Sequence, residues 1–187
     1  MSRALILKEL REVRGIALLA LLIYAVLLAC SVAPAQWSAL VPPLDWWGTS
    51  RSQSYPPFIN DAFVQRFHFI SAALAIAIGF WHSLGETIRC TYATLLHRHF
   101  SRRRIIGIKL SVGMVTYALC AAVPLLVYGL WAATPGTHSS PFEWSMSWPA
   151  WAGWWATTVL YVGAFLTGIR PGRWYGSRLL PLVVAVA

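Results

Sequence analysis

Charge is what this chain has least of. Asp, Glu, Lys and Arg make up 11% of its 187 residues, against about a quarter in an ordinary soluble domain. With 58% of the residues hydrophobic, too little polar surface remains to cover a water-soluble globule. Acidic groups are the scarcest, at six. No two carboxylates group for general acid–base work, and no Ser-His-Asp set stands out, so catalytic residues are not expected. Cysteine is also rare, at three. Cys30 and Cys120 fall in apolar runs, and the odd total argues against a disulfide framework. Buried thiols behave as small hydrophobes. No G-x-x-x-x-G-K-[ST] phosphate loop occurs, so ATP hydrolysis is not expected of these residues.

What the chain does have is long apolar runs. A run of roughly 20 residues crosses a hydrocarbon core of about 30 Å. Four such runs are predicted as spans, at about 16–33, 67–85, 105–131 and 150–169. Residues 179–187 begin a fifth that is too short to cross, which suggests the front part of a longer membrane protein. The expected fold is all-α, a polytopic transmembrane helix bundle forming one domain over 1–187. Pro124 inside the third span is expected to kink it.

The net charge of +9 would point to nucleic acid in a soluble protein. Its placement points elsewhere, and no nucleic-acid partner is expected. Of the 15 Lys and Arg residues, all but Arg51 and Arg66 lie in three segments: the N-terminal 15 residues, 86–109 and 170–178. These are alternate connections of the predicted topology. The positive-inside bias then sets the N-terminus in the cytoplasm, in a cell inner (plasma) membrane.

Residues 1–15 read as an amphipathic helix lying in the headgroup plane. Ile6, Leu10, Val13 and Ala17 form its apolar face, with Lys8, Arg11, Glu12 and Arg14 opposite. A cleaved signal peptide is the competing reading, disfavoured by Pro34 at the would-be site. The 34–66 loop carries Trp37, Trp46 and Trp47, suited to an interface, and 58–67 could form a short helix leading into the second span.

The segment 86–109 is the most informative. Over 86–100 it reads as an amphipathic helix on the cytoplasmic side. Ser101 is placed to cap the third span, yet Arg102, Arg103 and Arg104 follow in its first turn. There the helix dipole disfavours cations by about 0.3–1 kcal/mol each. Anionic lipid offsets this, at about 1 kcal/mol per basic residue; an acidic surface on a partner protein would do the same. Lys109, one turn inside the span, is expected to snorkel to the surface.

The order Glu86, Thr91, Leu95-Leu96, Ser101-Arg102, Lys109 resembles the signature of ABC-2 type transporter permeases. There a Glu precedes a Gly-Thr pair, leucines follow, and a Pro-x-Ser-Arg turn leads to a Lys in the next span. The basic N-terminal helix with Lys8-Glu9-Leu10-Arg11 is similar too. The sequence departs from the pattern at Cys90 in place of Gly and at His99 in place of Pro, which bears on the shape of the bend. The resemblance covers most of 1–132. It implies an ABC exporter permease that works as a homo- or heterodimer. A cytoplasmic coupling helix would dock on a separate ABC ATP-binding subunit, with Glu86, Thr91, Arg98, Ser101 and Arg102 at or near that interface. ATP would be bound by the partner, and this chain would hold no cofactor.

Two other readings stand beside it. His68 and His82 are fourteen residues apart on one span, as in haem-carrying helices, so a haem- or metal-binding redox subunit is one alternative. It lacks matching histidines on the other spans, and His97 and His99 point to different sides of a helix, so no metal site is expected. A membrane scaffold or assembly protein is the other. Thr116 and Tyr117 could line a path, but such residues in a span are more often packing.

Overall fold

A computed structural model describes residues 2–32, 56–59, 62–89, 102–137, 141–170 and 177–186. Five α-helices follow in order: α1 (Ser2–Val32), α2 (Ala62–Arg89), α3 (Arg102–Ala132), α4 (Trp148–Ile169) and α5 (Leu180–Val186), with a 3-10 turn at Trp144–Ser147 running directly into α4. The described residues contain no strand. Four stretches are long and apolar enough to cross a membrane: Ile6–Val32, Phe63–Leu84, Arg103–Ala132 and Trp144–Ile169. The chain is an all-α, polytopic membrane-type protein.

Helix α2 is longer than its hydropathy run at both ends, and α1 and α3 chiefly at their N-termini, where polar residues extend them. Residues 1–15 are not set off from the first span by a turn; α1 runs unbroken from Ser2 to Val32. Residues 62–67 are the opening turns of α2 rather than a separate interfacial helix. The fourth span gains the turn at Trp144–Ser147, so it starts earlier than expected. Helix α3 continues through Pro124, which leaves the carbonyl of Cys120 without its usual i+4 donor.

The chain divides into two compact units, residues 1–19, 72–119 and 156–187 in the first and 20–71 and 120–155 in the second. Each long helix contributes one part to each unit.

Aromatic packing holds the second unit. Phe63 stacks on Tyr128 at a centroid distance of 4.0 Å, and Phe58 meets the same ring edge-on at 5.0 Å. All three rings are buried. Phe58 has φ of 67°, a left-handed backbone that disfavours a bulky side chain; burial of its ring in this cluster offsets the strain. Tyr24 on α1 hydrogen-bonds Ser71 on α2, Oη to Oγ, at 2.7 Å. His68 donates from Nε2 to the Ala150 carbonyl at 3.1 Å.

In the first unit the helices approach through small residues. A Cβ on Gly79 would lie 2.7 Å from the Tyr161 carbonyl oxygen and 2.8 Å from Ala164 Cβ. On Gly113 it would collide with the Tyr161 ring. Lipid tails are as apolar as leucine, so helices in a bilayer associate through close packing and polar contacts rather than through the hydrophobic effect. Buried hydroxyls are satisfied within their own helices: Ser83 donates to Gly79 O at 2.8 Å and Thr167 to Gly163 O at 2.8 Å. Large apolar side chains face outward instead. Leu18, Leu19 and Leu22 are about 60% exposed, and Leu119 and Leu130 similarly so. On a soluble protein this would be an aggregation hazard; in hydrocarbon it is a lipid face.

The close approach at Gly79 sets a first prediction. Gly79→Leu should lower the stability of the detergent-solubilised protein by about 1–3 kcal/mol, the usual effect of overpacking. Gly107→Leu, on the same unit with nothing within 4 Å of its Cβ position, should leave the thermal midpoint nearly unchanged. Equal midpoints for the two variants would contradict the packing described here.

Candidate functional site

Helix α1 buries a face the hydropathy pattern does not single out. Ile6 and Leu10, expected on the apolar side, are 37% and 44% exposed. The inward face runs through Glu9, Val13, Ala20, Tyr24 and Leu27, at helical spacings of three, four and seven. Glu9 is 1% exposed. Its carboxylate is a turn inside the first apolar stretch, which starts at Ile6.

The partner comes from α3. Lys109 does not snorkel to the surface; it is 0% exposed, and Nζ donates to Glu9 Oε2 at 2.7 Å. Snorkelling requires a path along the helix to water. Here an opposite charge within direct reach makes the inward rotamer better. The distance is that of a charge-assisted hydrogen bond.

Two further helices complete the cluster. His82 on α2 is 3% exposed, with Nδ1 at 3.8 Å from Glu9 Oε2. Neither ring nitrogen makes a well-formed hydrogen bond, and Glu9 Oε1 has no partner. Tyr161 on α4 is fully buried and donates to the Leu110 carbonyl at 3.1 Å, with the Lys109 carbonyl at 3.5 Å. Each of α1 to α4 thus brings one ionisable side chain to one place in the first unit. Buried polar atoms are nearly always hydrogen-bonded, so the open atoms of Glu9 and His82 are unusual. Ionisable groups inside membrane helices face protein interior and mark function by default.

Beside this cluster, Arg178 is 9% exposed. Its Nε donates to Thr167 O at 3.3 Å and its Nη2 to Gly168 O at 3.1 Å. These are carbonyls of the last turn of α4, which lack helical donors and carry the negative end of the helix dipole. Arg178 therefore acts as a cap supplied from beyond the helix, not as a free basic residue of the 170–178 segment.

The residues singled out in the sequence are placed unevenly. Arg11 and Arg14 are exposed on α1. Lys8 pairs with Glu12 at 3.7 Å, an i,i+4 contact worth about 0.3–0.5 kcal/mol. Glu86 lies on the last turn of α2 and Arg102 opens α3, with only their backbone described. Thr91, Arg98 and Ser101, like Cys90, His97 and His99, lie outside the described residues, as does most of the amphipathic 86–100 stretch. His68 and His82 fall in different units, each with its own surroundings. Among the described residues no three of His, Cys, Asp and Glu gather as metal ligands. Thr116 bonds the Val112 carbonyl of its own helix at 2.9 Å, and Tyr117 is buried against Thr157, which are packing roles.

The cluster was missed from sequence although each member carried a signal. Lys109 is a charge inside an apolar run, and Glu9 an acid at the opening of another. The contact between them spans a sequence separation of 100, and no local periodicity reports it.

The ion pair generates a sharp energetic expectation. Removing one partner strands the other charge at about 3–5 kcal/mol, whereas replacing both by apolar residues is often near neutral. Lys109→Met and Glu9→Leu should each strongly lower the thermal midpoint in detergent, and the double variant should recover most of the loss. Additive losses in that double-mutant cycle would mean the pair does not interact as described. Comparison of the chain with protein-family models, with curated proteins and with solved structures finds no match, so the role of the cluster is argued from its geometry.

Proposed function

We propose that this chain is the permease subunit of an ABC-2 type exporter, moving a substrate across the cell inner membrane with ATP hydrolysed by a separate subunit. The observation that carries this reading is the spacing of Glu86, Thr91, Leu95, Leu96, Ser101, Arg102 and Lys109 on the basic connection between two spans. The ends of α2 and α3 that this connection joins belong to one unit. Lys109, the last residue of the motif, is bound to Glu9 of the N-terminal Lys8-Glu9-Leu10-Arg11 sequence. Force applied to the connection by an ATPase would therefore reach α1 through a direct ion pair as well as α2 and α3 through their backbones. Two such chains, identical or related, would pair to form the path. The reading puts the N-terminus and the 86–104 connection in the cytoplasm, following the distribution of Lys and Arg.

Two experiments test it. Affinity purification of the intact chain from membranes of its native host should recover an ATP-binding cassette subunit. Arg98→Glu with Arg102→Glu should cut that recovery at least about tenfold, a loss of about 1.4 kcal/mol or more in binding. Undiminished recovery after deletion of 88–102 would sink the reading. Separately, alkaline phosphatase fused after residue 50 should be active and fused after residue 95 inactive; the reverse pattern would invert the orientation.

A further inference from the structure

We propose that Glu9 and His82 form a buried proton-binding site, held in place by Lys109. The inference concerns a ligand, the proton, that the transport reading does not involve, and it stands on the geometry of the first unit alone.

Consider what the cluster lacks. Lys109 occupies one carboxylate oxygen of Glu9 and leaves Oε1 open. His82 presents Nδ1 to the same carboxylate at 3.8 Å, about 1 Å beyond a charge-assisted hydrogen bond. A neutral imidazole has one N–H to donate and one lone pair to receive; here neither nitrogen makes a well-formed hydrogen bond, and the backbone carbonyl of Lys109 lies near the ring as a weak acceptor. One proton supplies what is missing. Bound at the bare ring nitrogen, it makes both nitrogens donors. A shift of the ring then lets an N–H donate to the Glu9 carboxylate beside Lys109. The bookkeeping is simple: one N–H bond forms, hydronium becomes water, and no other bond breaks.

The surrounding charges fit one proton and no more. From α1 the ring faces Glu9, with Lys8 and Glu12 further along the same helix acting on Glu9. From α3 it faces Lys109. From α4 comes Tyr161, whose hydroxyl is committed to the Leu110 carbonyl and lies within electrostatic reach of Glu9. With Glu9 ionised and Lys109 charged the cluster is neutral; one proton takes it to a net charge of +1. A second would have to discharge Glu9 and release both cations into a buried site, which is costly. A metal cation is a poor alternative occupant, since the Lys109 ammonium already sits on the carboxylate.

The consequence is a contact that changes with occupancy. Without the proton, the Glu9 carboxylate is bonded to α3 alone. With it, Glu9 bridges α3 and α2, and α2 and α3 are the two helices joined by the 86–101 connection.

The test is nuclear magnetic resonance of the intact chain in detergent micelles, with ¹⁵N-labelled histidine and His68, His97, His99 and His138 changed to Gln. His82 is then the sole histidine. As pH falls from about 8 to about 4, a window covering measured protein histidines and their tails, its two ring nitrogens should pass from the unequal shifts of a neutral tautomer to the near-equal shifts of imidazolium. Glu9→Gln keeps an acceptor for Lys109 but removes the anion, and should abolish the imidazolium signal across that window while the protein stays folded. An imidazole that remains neutral throughout in the folded parent, or an imidazolium unaffected by Glu9→Gln, would overturn the proposal. Since no ATPase is present, neither result depends on the exporter reading. Should Glu9→Gln fail to fold, Glu9→Asp serves: a carboxylate shortened by one methylene should reduce the imidazolium fraction at the parent's midpoint at least about tenfold, and an unchanged fraction would count against the site.

Discussion

The contact on which the first unit turns is the 2.7 Å bond between Lys109 and Glu9. Neither residue can be where it is without the other. A lone ammonium or carboxylate among buried helices would carry a desolvation penalty of several kcal/mol, and a lysine one or two turns from a helix end would escape to water. Paired, they orient the inward face of α1. Glu9 facing α3 places Val13, Ala20, Tyr24 and Leu27 inward and turns Leu18, Leu19 and Leu22 outward to about 60% exposure. Rotation of α1 to bury its most hydrophobic side would break the pair. The helix therefore hides a charge and shows its leucines, the reverse of a soluble amphipathic helix, and a bilayer makes both choices favourable.

The same logic runs through the polar groups deeper in the helices. Hydroxyls of Ser31, Ser83, Thr116 and Thr167 each return to a carbonyl one turn back, so these four donors are satisfied within their own helices. Tyr161 is different. Its ring occupies the space left by Gly113, its backbone fills the groove at Gly79, and its hydroxyl closes on α3. One residue of α4 thereby fastens α2 and α3, by the absence of a side chain on each and by a hydrogen bond to α3.

How much of this is readable in the linear chain depends on the range of the interaction. The spans are readable, because each is a local run of apolar residues whose length is set by bilayer thickness. Their ends are less so. Residues 1–15 look amphipathic when taken alone, and nothing local says that α1 continues unbroken through Gly15, since a glycine in a helix is only mildly unfavourable. Ile6 and Leu10 read as the apolar face of α1 and yet are not its packed face, for a physical reason: in a membrane, apolar periodicity marks the lipid face as readily as the packed one. The cluster of Glu9, His82, Lys109 and Tyr161 was not legible because it depends on the rotation of four helices at once. In the linear chain Lys109 reads as a snorkelling lysine and the last step of the transporter-like motif, His82 as a candidate haem ligand and Glu9 as part of Lys8-Glu9-Leu10-Arg11; only the register between helices makes them neighbours. The 90–101 stretch, where the resemblance to a transporter signature is concentrated, lies outside the described residues, so its reading rests on spacing.

An ion pair inside a helical protein is a weak device for stability, since apolar residues of similar volume commonly do as well. What it offers that apolar packing does not is discrimination. Leucine against leucine tolerates a shift of one helix along another with small loss, because each new register also buries methyl groups. Glu9 and Lys109 tolerate almost none, since a displacement of one turn, about 5.4 Å, separates the charges entirely. The arrangement thus favours two well-separated outcomes, engaged or disengaged, over a continuum of positions. A histidine beside the pair, with no well-formed hydrogen bond of its own, adds a third party able to join the same carboxylate. Apolar contacts between sliding helices alone would not make that distinction.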